Sequence, residues 1–81
     1  MEVVYNMKSI KISLEKAASV KTFVAITLNY PFEILLKSGK YVVDAKSILG
    51  IFSLDLSQPV TVEIYNDDCE DILAELEQFK A

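Results

Sequence analysis

Apolar and polar residues alternate in several parts of the chain, and this pattern predicts four β-strands. The segment KSIKISL, residues 8–14, predicts the first strand, although residues 3–7 before it do not keep the same phase. The segment PFEILLKSGKYVVD, residues 31–44, predicts a hairpin of two antiparallel strands, because Gly39 tolerates the positive φ of a tight turn. Alternation over residues 60–64 predicts a fourth strand.

Helical spacing of apolar residues predicts three helices between these strands. The first should cover about Glu15 to Asn29 and end before Pro31, since the residue that precedes a proline avoids the helical conformation. A short second helix is expected from Ser47, and Asp67 and Glu70 form an Asp-x-x-Glu capping pattern at the start of the third. The apolar stripes of the first and third helices comprise Ala17, Val20, Val24, Thr27 and Leu28, and Cys69, Ile72, Leu73, Leu76 and Phe79.

The predicted element order is βαββαβα, which is typical of an α+β protein. We expect a single domain over residues 1–81, with a four-stranded antiparallel sheet that carries three helices on one face, an open-faced β-sandwich. The second face of the sheet should be more polar. The core is expected to form between helix residues Val20, Val24, Ile72, Leu76 and Phe79 and strand residues Ile12, Ile34, Val62 and Ile64.

The chain contains one cysteine, Cys69, and no histidine. A single thiol excludes an internal disulfide, and its place on an apolar stripe is typical of an inert buried residue. Without histidine, the commonest metal ligand and the usual acid or base at neutral pH are both absent. We therefore expect no metal, no cofactor and no enzymatic activity, and we interpret the acidic residues around Asp67 as helix caps and not as calcium ligands.

The net charge of −4, with no arginine in the chain, argues against nucleic acid as a partner, because binding a phosphate backbone requires a basic surface. No apolar run reaches the about 20 residues of a membrane span, and the N-terminal residues lack the pattern of a signal peptide. We therefore expect a cytoplasmic protein. The hydrophobic content of 52% is high for so short a chain, which predicts apolar residues at a contact surface.

The segment SGKYVVDAKSILGIFSLDL, residues 38–56, carries a resemblance to a known family. It is similar to the Gly-Lys-x-Val-x-x-Lys-Ser-Ile-Met-Gly-x-x-Ser-Leu stretch of HPr, the phosphocarrier of the bacterial sugar phosphotransferase system. The match is specific over residues 39–56, and the length and element order of the whole chain fit as well. The resemblance implies the HPr fold and a role in the phosphotransferase network.

The same resemblance implies that the phosphoryl-transfer site is altered. HPr accepts a phosphoryl group on a histidine at the start of its first helix, within a His-Ala-Arg-Pro-Ala signature. The corresponding segment here is KAASV, with Lys16 at the histidine position, Ala18 at the arginine and Ser19 at the proline. A lysine ammonium has no free lone pair at neutral pH. Without histidine the chain cannot form phosphohistidine, and it is similar in this respect to Crh, a regulatory member of the family.

A second family site is retained at Ser47, which matches the regulatory serine that a dedicated kinase phosphorylates in some bacteria. Lys46 and Ile48 flank it as they do in the family. A phosphate of about −1.5 to −2 charges is favoured near the free N–H groups of a helix start. Serine is also a good N-cap, so Ser47 could serve only as a cap, and the two roles are compatible.

More apolar residues follow Ser47 than a helix of two turns can bury on a sheet. By the resemblance, some of them form a partner-binding surface while Ile51 and Leu54 belong to the core. The alternative is that a dimer or a covering loop buries them all. The predicted partner-binding residues are Lys46, Ile48, Leu49 and Phe52.

These features predict a phosphoprotein that regulates the phosphotransferase network without carrying a phosphoryl group on histidine. Its expected partners are proteins, such as a serine kinase or a transcriptional regulator. Two alternatives remain open at this point. The chain could be a phosphocarrier with another acceptor, for which Lys16 and Ser19 are the nearest candidates, or a structural module that has lost both activities.

Overall fold

A computed structural model describes residues 7–81 and shows the elements in the predicted order. Residues 1–6, which include most of the segment with the different phase and the start of the chain, lie outside the described residues. A short 3₁₀ helix over Glu77–Phe79 follows the last α-helix. The elements are β1 (Met7–Ile12), α1 (Ala17–Thr27), β2 (Ile34–Ser38), β3 (Tyr41–Asp44), α2 (Ile48–Phe52), β4 (Val60–Tyr65) and α3 (Glu70–Leu76).

The four strands form one sheet in the order β1-β4-β2-β3, and every neighbouring pair is antiparallel. Strand β4 is therefore central, and its Val62 lies opposite Ile10 of β1 and Leu36 of β2. Gly39, with a φ of 59°, makes the tight turn between β2 and β3 as predicted. The last strand in the sequence, β4, thus lies between β1 and β2, which precede it in the chain.

The core lies between one face of this sheet and the helices. All the residues predicted to form it are buried, and Phe23 of α1 meets Phe79 edge to face with ring centroids 6.1 Å apart. The fold is the predicted α+β open-faced sandwich. The fully buried apolar side chains are Ile12, Leu14, Val20, Phe23, Ile34, Leu36, Ala45, Ile51, Val60, Val62, Ile64, Ile72 and Leu76.

The second face of the sheet is more polar, as predicted, because side chains alternate between faces along each strand. Its central residue is Glu63, which is only 8% exposed although no helix covers it. The Glu63 carboxylate contacts the Lys37 ammonium at 3.1 Å and accepts a hydrogen bond from the Tyr65 hydroxyl at 2.8 Å. These contacts, the tyrosine hydrogen bond above all, lower the pKa of Glu63 although burial opposes the shift.

Helix α1 is shorter than predicted, and its buried face is different. It begins at Ala17, two residues after the expected start, and ends at Thr27. Ala17 and Leu28, which the predicted stripe included, are exposed, whereas the omitted Phe23 is fully buried. The buried positions Val20, Phe23, Val24 and Thr27 follow the i, i+3, i+4, i+7 spacing of a single helix face.

The predicted cap of α3 is wrong. The helix begins at Glu70, its N-cap residue is Cys69, and no side chain caps it. A turn precedes the helix, in which the Cys69 thiol donates to the Asn66 carbonyl at 2.9 Å and the Asn66 amide donates to the Asp68 carbonyl at 2.7 Å. This turn holds Asp67 outside the helix, at a position where its side chain cannot act as the N-cap.

Candidate functional site

Ser47 lies at the N-cap of α2, with φ −104° and ψ 106°. Its hydroxyl accepts a hydrogen bond from the Gly50 N–H at 3.1 Å, and its carbonyl accepts one from the Ile51 N–H at 3.0 Å. Gly50 makes room for this cap, since a Cβ there would lie 3.2 Å from the Ser47 hydroxyl oxygen. The capping interpretation is therefore correct, and the serine hydroxyl is half-buried in a defined position.

The turn before Ser47 is held by several hydrogen bonds. The Asp44 carboxylate accepts from the Lys46 N–H at 2.9 Å, and the Asp44 carbonyl accepts from the Ser47 N–H at 3.0 Å. The Lys46 ammonium donates to the carbonyls of Tyr30 at 2.6 Å and Phe32 at 2.9 Å. The charge of Lys46 thus holds the loop between α1 and β2 against the start of α2, and the partner-binding role expected for this residue stays a prediction.

The apolar residues after Ser47 divide between the protein surface and the core. Leu49 is 81% exposed and Phe52 is 45% exposed, whereas Ile48 is half-buried and packs against the core. Ile51 is fully buried, and Leu54 is 9% exposed. Ile48, Leu49 and Phe52 together are called the α2 surface below, and no loop within residues 7–81 covers its two exposed side chains.

Lys16, at the position of the family's histidine, is the N-cap residue of α1. Its side chain is exposed and makes no capping hydrogen bond. Thr27, at the other end of this helix, donates its hydroxyl to the Val24 carbonyl at 2.8 Å, and the same hydroxyl oxygen lies 3.3 Å from the Ala45 carbonyl, beside the start of α2. Since 11 residues of helix span about 16 Å, Lys16 and Ser47 lie near opposite ends of α1.

One exposed apolar residue and one hydrogen bond beside the site were not predicted. Leu28, which follows the last residue of α1, is 62% exposed and lies next to the Thr27 contact with the α2 region. The Tyr30 hydroxyl donates to the Glu75 carboxylate of α3 at 2.6 Å, and this hydrogen bond is the main reason that the pKa of Tyr30 rises to about 12. The proline at position 31 indicated only that a helix ends here. The sequence gives no signal for the exposure of Leu28 or for the Tyr30–Glu75 hydrogen bond.

The remaining chemically distinctive groups of residues 7–81 form no further site. Cys69 is 3% exposed, and burial raises the pKa of its thiol, in agreement with an unreactive core residue. The described part of the chain holds no group of three or more His, Cys, Asp or Glu side chains that could bind a metal ion. Within residues 7–81, no helix combines the length and apolar character that crossing a bilayer requires.

Comparisons with known proteins agree with the resemblance carried by residues 39–56. A family model described as the PTS HPr component phosphorylation site matches residues 7–81. The fold is similar to that of phosphocarrier protein HPr from Bacillus anthracis str. Ames, with a TM-score of 0.71, 24% identity and coverage of 98% of this chain and 100% of that one. It is also similar to HPr-C-His from Thermoanaerobacter tengcongensis, with a TM-score of 0.71, 28% identity and coverage of 90% of this chain and 88% of that one. No curated protein sequence matches the chain.

Proposed function

The chain belongs to the HPr family of the bacterial phosphotransferase system, whose family model spans residues 7–81, and on this premise we propose that it is a regulatory or binding protein that does not carry a phosphoryl group on histidine. Its regulatory site is Ser47, and its docking site is the α2 surface. The observation that carries the proposal is a capping serine next to two exposed apolar side chains, Leu49 and Phe52.

The chemistry of the helix start supports modification at Ser47. The first N–H groups of a helix have no carbonyl partner within it, and they favour negative charge at that end. Phosphorylation would replace the neutral cap with a group of about −1.5 to −2 charges and three acceptor oxygens. The N–H groups of Ile48 and Leu49 lie in this first turn, so the phosphate has donors next to it.

The exposed apolar side chains support docking of a protein partner. Full burial of a leucine or phenylalanine side chain contributes about 1.5 to 3 kcal/mol, and neither Leu49 nor Phe52 obtains this from residues 7–81. Lys46 supports the surface from within, since its ammonium fixes the turn that leads into α2. A phosphate on Ser47 would add charge at the edge of this surface and would thereby select which partners bind.

The carrier alternative has little support from the geometry. Without histidine, a phosphoryl group would have to be accepted by another side chain of the KAASV segment. Lys16 is exposed and makes no side-chain capping contact, and Ser19 is half-buried in the first turn of α1. Neither residue has a general base hydrogen-bonded to it among the described residues, which a serine nucleophile needs.

Phosphorylation of Ser47 can be tested with an HPr-family serine kinase and ATP, with intact mass and peptide mapping as the measurement. We expect one phosphate on Ser47. The Ser47→Ala variant should accept none, and Ser53→Ala is the matched control, because Ser53 is an exposed serine at the other end of the same helix. Phosphate on Ser53, or no phosphate on either residue, would contradict the regulatory site.

Docking can be tested by capture from a lysate of the source cells, with unmodified protein, Ser47-phosphorylated protein and Phe52→Ala. We expect phosphorylation to change the set of captured proteins, and Phe52→Ala to lose members of that set while its circular dichroism stays unchanged. Identical captured sets for all three proteins would mean that the α2 surface is not an interaction site.

The carrier alternative is tested separately by incubation with phosphoenolpyruvate and the general phosphotransferase enzyme. We expect no acid-labile phosphoryl adduct, because the chain contains no histidine. A stoichiometric adduct that maps to residues 13–22 would replace the regulatory proposal with the carrier function.

A further inference from the structure

Strand β3 is an open edge of the sheet. It is the last strand in the order β1-β4-β2-β3, so within residues 7–81 only β2 pairs with it. Tyr41 lies opposite Ser38 across the two-residue turn, and the Ala45 N–H donates to the Ile34 carbonyl at 3.0 Å. Hydrogen-bonded pairs alternate along antiparallel strands, so the backbone groups of Tyr41, Val43 and Ala45 face β2 and those of Val42 and Asp44 face outwards.

Most of these outward-facing groups have no partner in the described part of the chain. The Asp44 carbonyl accepts from the Ser47 N–H, but the N–H and carbonyl of Val42 and the N–H of Asp44 make no hydrogen bond with another of residues 7–81. Such an edge offers a template for another strand.

The opposite edge of the sheet is different, because the C-terminal residues cover part of it. The Ala81 N–H donates to the Lys11 carbonyl at 3.2 Å, and the Ser13 N–H donates to the Phe79 carbonyl at 2.8 Å. Ile12 and Lys80 form an isolated antiparallel bridge there. The described residues thus protect part of the β1 edge and leave the outer edge of β3 unpaired.

A groove of about 670 Å³ runs beside the open edge. It is lined by residues 38–43 on one side and by Ser53, Leu54 and Asp55 on the other. Val43 and Leu54 give it an apolar part, and two large apolar side chains stand beside it, Tyr41 at 63% and Val42 at 50% exposure. The edge therefore offers backbone hydrogen bonds and apolar contacts together.

We propose that the β3 edge pairs with the β3 edge of a second copy of this chain, antiparallel and with Val42 on the two-fold axis. This surface includes neither Ser47 nor the α2 surface, so the inference goes beyond the proposed function. Val42 is an outward-facing position, and two copies of it can exchange both of their N–H to carbonyl hydrogen bonds across the axis. The open sheet then continues from one copy into the other.

The side chains fit this register. Pairing about Val42 places Lys40 of each copy near Asp44 of the other, and both are exposed residues of opposite charge. Tyr41 of the second copy falls opposite Val43, on the side of the sheet where the groove lies. Two copies of an edge that placed like charges opposite one another would repel, whereas this register places Lys40 opposite Asp44.

The interface is small, because β3 has only four residues. Interfaces that bury less than about 1,200 Å² in total belong to weak or transient complexes. We therefore expect a reversible dimer that forms with rising concentration, and not an obligate one.

Cysteine cross-linking tests the register. In a Cys69→Ser background, Val42→Cys places two thiols across the axis, where the Cα atoms of a hydrogen-bonded pair lie about 5.5 Å apart, within the range of a disulfide. Tyr41→Cys is the matched control, since it is a neighbouring and more exposed position that does not meet its own copy. Under mild oxidation we expect Val42→Cys to form the covalent dimer at least about tenfold faster. Equal rates would overturn the proposed register.

Sedimentation equilibrium tests the association itself, from about 10 μM to about 1 mM. We expect the wild type to show a concentration-dependent dimer and Lys40→Glu to weaken it by about tenfold, because glutamate then faces Asp44 of the other copy. Lys21→Glu, an exposed change on α1, is the charge-matched control and should behave as wild type. A wild type that stays monomeric at the highest concentration, or a dimer that Lys40→Glu does not weaken, would overturn the proposal.

Discussion

Replacement of Lys46 with methionine tests whether this lysine holds the site together from within. Methionine keeps an unbranched apolar side chain of similar length but removes the ammonium group. That ammonium donates to the Tyr30 carbonyl at 2.6 Å and to the Phe32 carbonyl at 2.9 Å, so the variant loses two charged hydrogen bonds between the α1–β2 loop and the start of α2.

The expected loss follows from the number and exposure of these bonds. A hydrogen bond to a charged group contributes about 1.5 to 3 kcal/mol when it is well buried. Lys46 is half-buried, so water can replace part of each bond in the variant. We therefore expect Lys46→Met to lower the free energy of unfolding by about 1 to 3 kcal/mol in total.

Urea unfolding followed by circular dichroism measures this loss, and thermal unfolding provides a second estimate. For a domain of this size, each 1 kcal/mol corresponds to a shift of about 4 to 8 °C in Tm. Lys40→Met is the matched control, since Lys40 is an exposed lysine of the β2–β3 turn and its replacement should change stability by no more than about 0.5 kcal/mol.

Two results would refute this reasoning. Lys46→Met could match Lys40→Met within about 0.5 kcal/mol, which would mean that the two carbonyls are equally well solvated without the ammonium. Alternatively, Lys46→Met could lose partner capture well below its Tm while it keeps full stability, which would assign Lys46 to the partner and not to the turn.

Three further predictions concern the core and the perturbed groups. Leu76→Ala should lower the free energy of unfolding by about 2 to 5 kcal/mol, because Leu76 is fully buried in α3. The pKa of Glu63 is lowered from 4.5 in the folded state, so the ionised Glu63 stabilises the fold fully above pH 4.5, and this stabilisation is lost as the pH falls through the folded pKa. In a plot of the urea midpoint against pH, Glu63→Gln should therefore show a smaller decrease at acid pH than the wild type does. In an ultraviolet absorbance titration, Tyr30 should ionise near pH 12, and Glu75→Gln should move that ionisation towards the ordinary value of 10.0.

Each of these has a control within the chain. Leu49→Ala removes a leucine that is 81% exposed and should change stability by less than about 0.5 kcal/mol, so an equal loss from both leucines would mean that the α3 packing is misassigned. Glu77 is an exposed glutamate, so Glu77→Gln should show the same decrease in urea midpoint at acid pH as the wild type. Tyr30→Phe should remove the tyrosine ionisation near pH 12, and persistence of that ionisation would contradict the Tyr30–Glu75 hydrogen bond.

The sequence alone was sufficient for the type and order of the elements and for many of their inward-facing residues. Alternation in residues 8–14 and 60–64 predicted β1 and β4, and helical spacing placed Val20 and Val24 on the buried face of α1, although it missed Phe23. These patterns are local, because burial on one face repeats every two residues in a strand and about every 3.6 in a helix. Gly39 likewise indicated its turn, since its φ of 59° is a local requirement.

The candidate site was predictable in its residue types but not in its contacts. The spacing after Ser47 predicted too many apolar residues for one short helix, and Leu49 and Phe52 are indeed exposed. The role of Lys46 was not predictable, because its partners Tyr30 and Phe32 lie 16 and 14 residues away and are backbone carbonyls, which every residue possesses. The start of α3 was missed for a different reason, since a local turn with a hydrogen bond from the Cys69 thiol to the Asn66 carbonyl precedes the helix and holds Asp67 outside it.

The sequence by itself determined the type and order of the strands and helices, most of the residues that form the core, and that no histidine is available to carry phosphate. Tertiary structure alone decided that β4 lies between β1 and β2, that Glu63 is buried on the open face by Lys37 and Tyr65, and that β3 is left as an edge. The physical reason is the range of the interactions. Periodicity and turn preferences act between neighbours in sequence, whereas strand order, ion pairs and free edges depend on residues that meet only after the chain has folded.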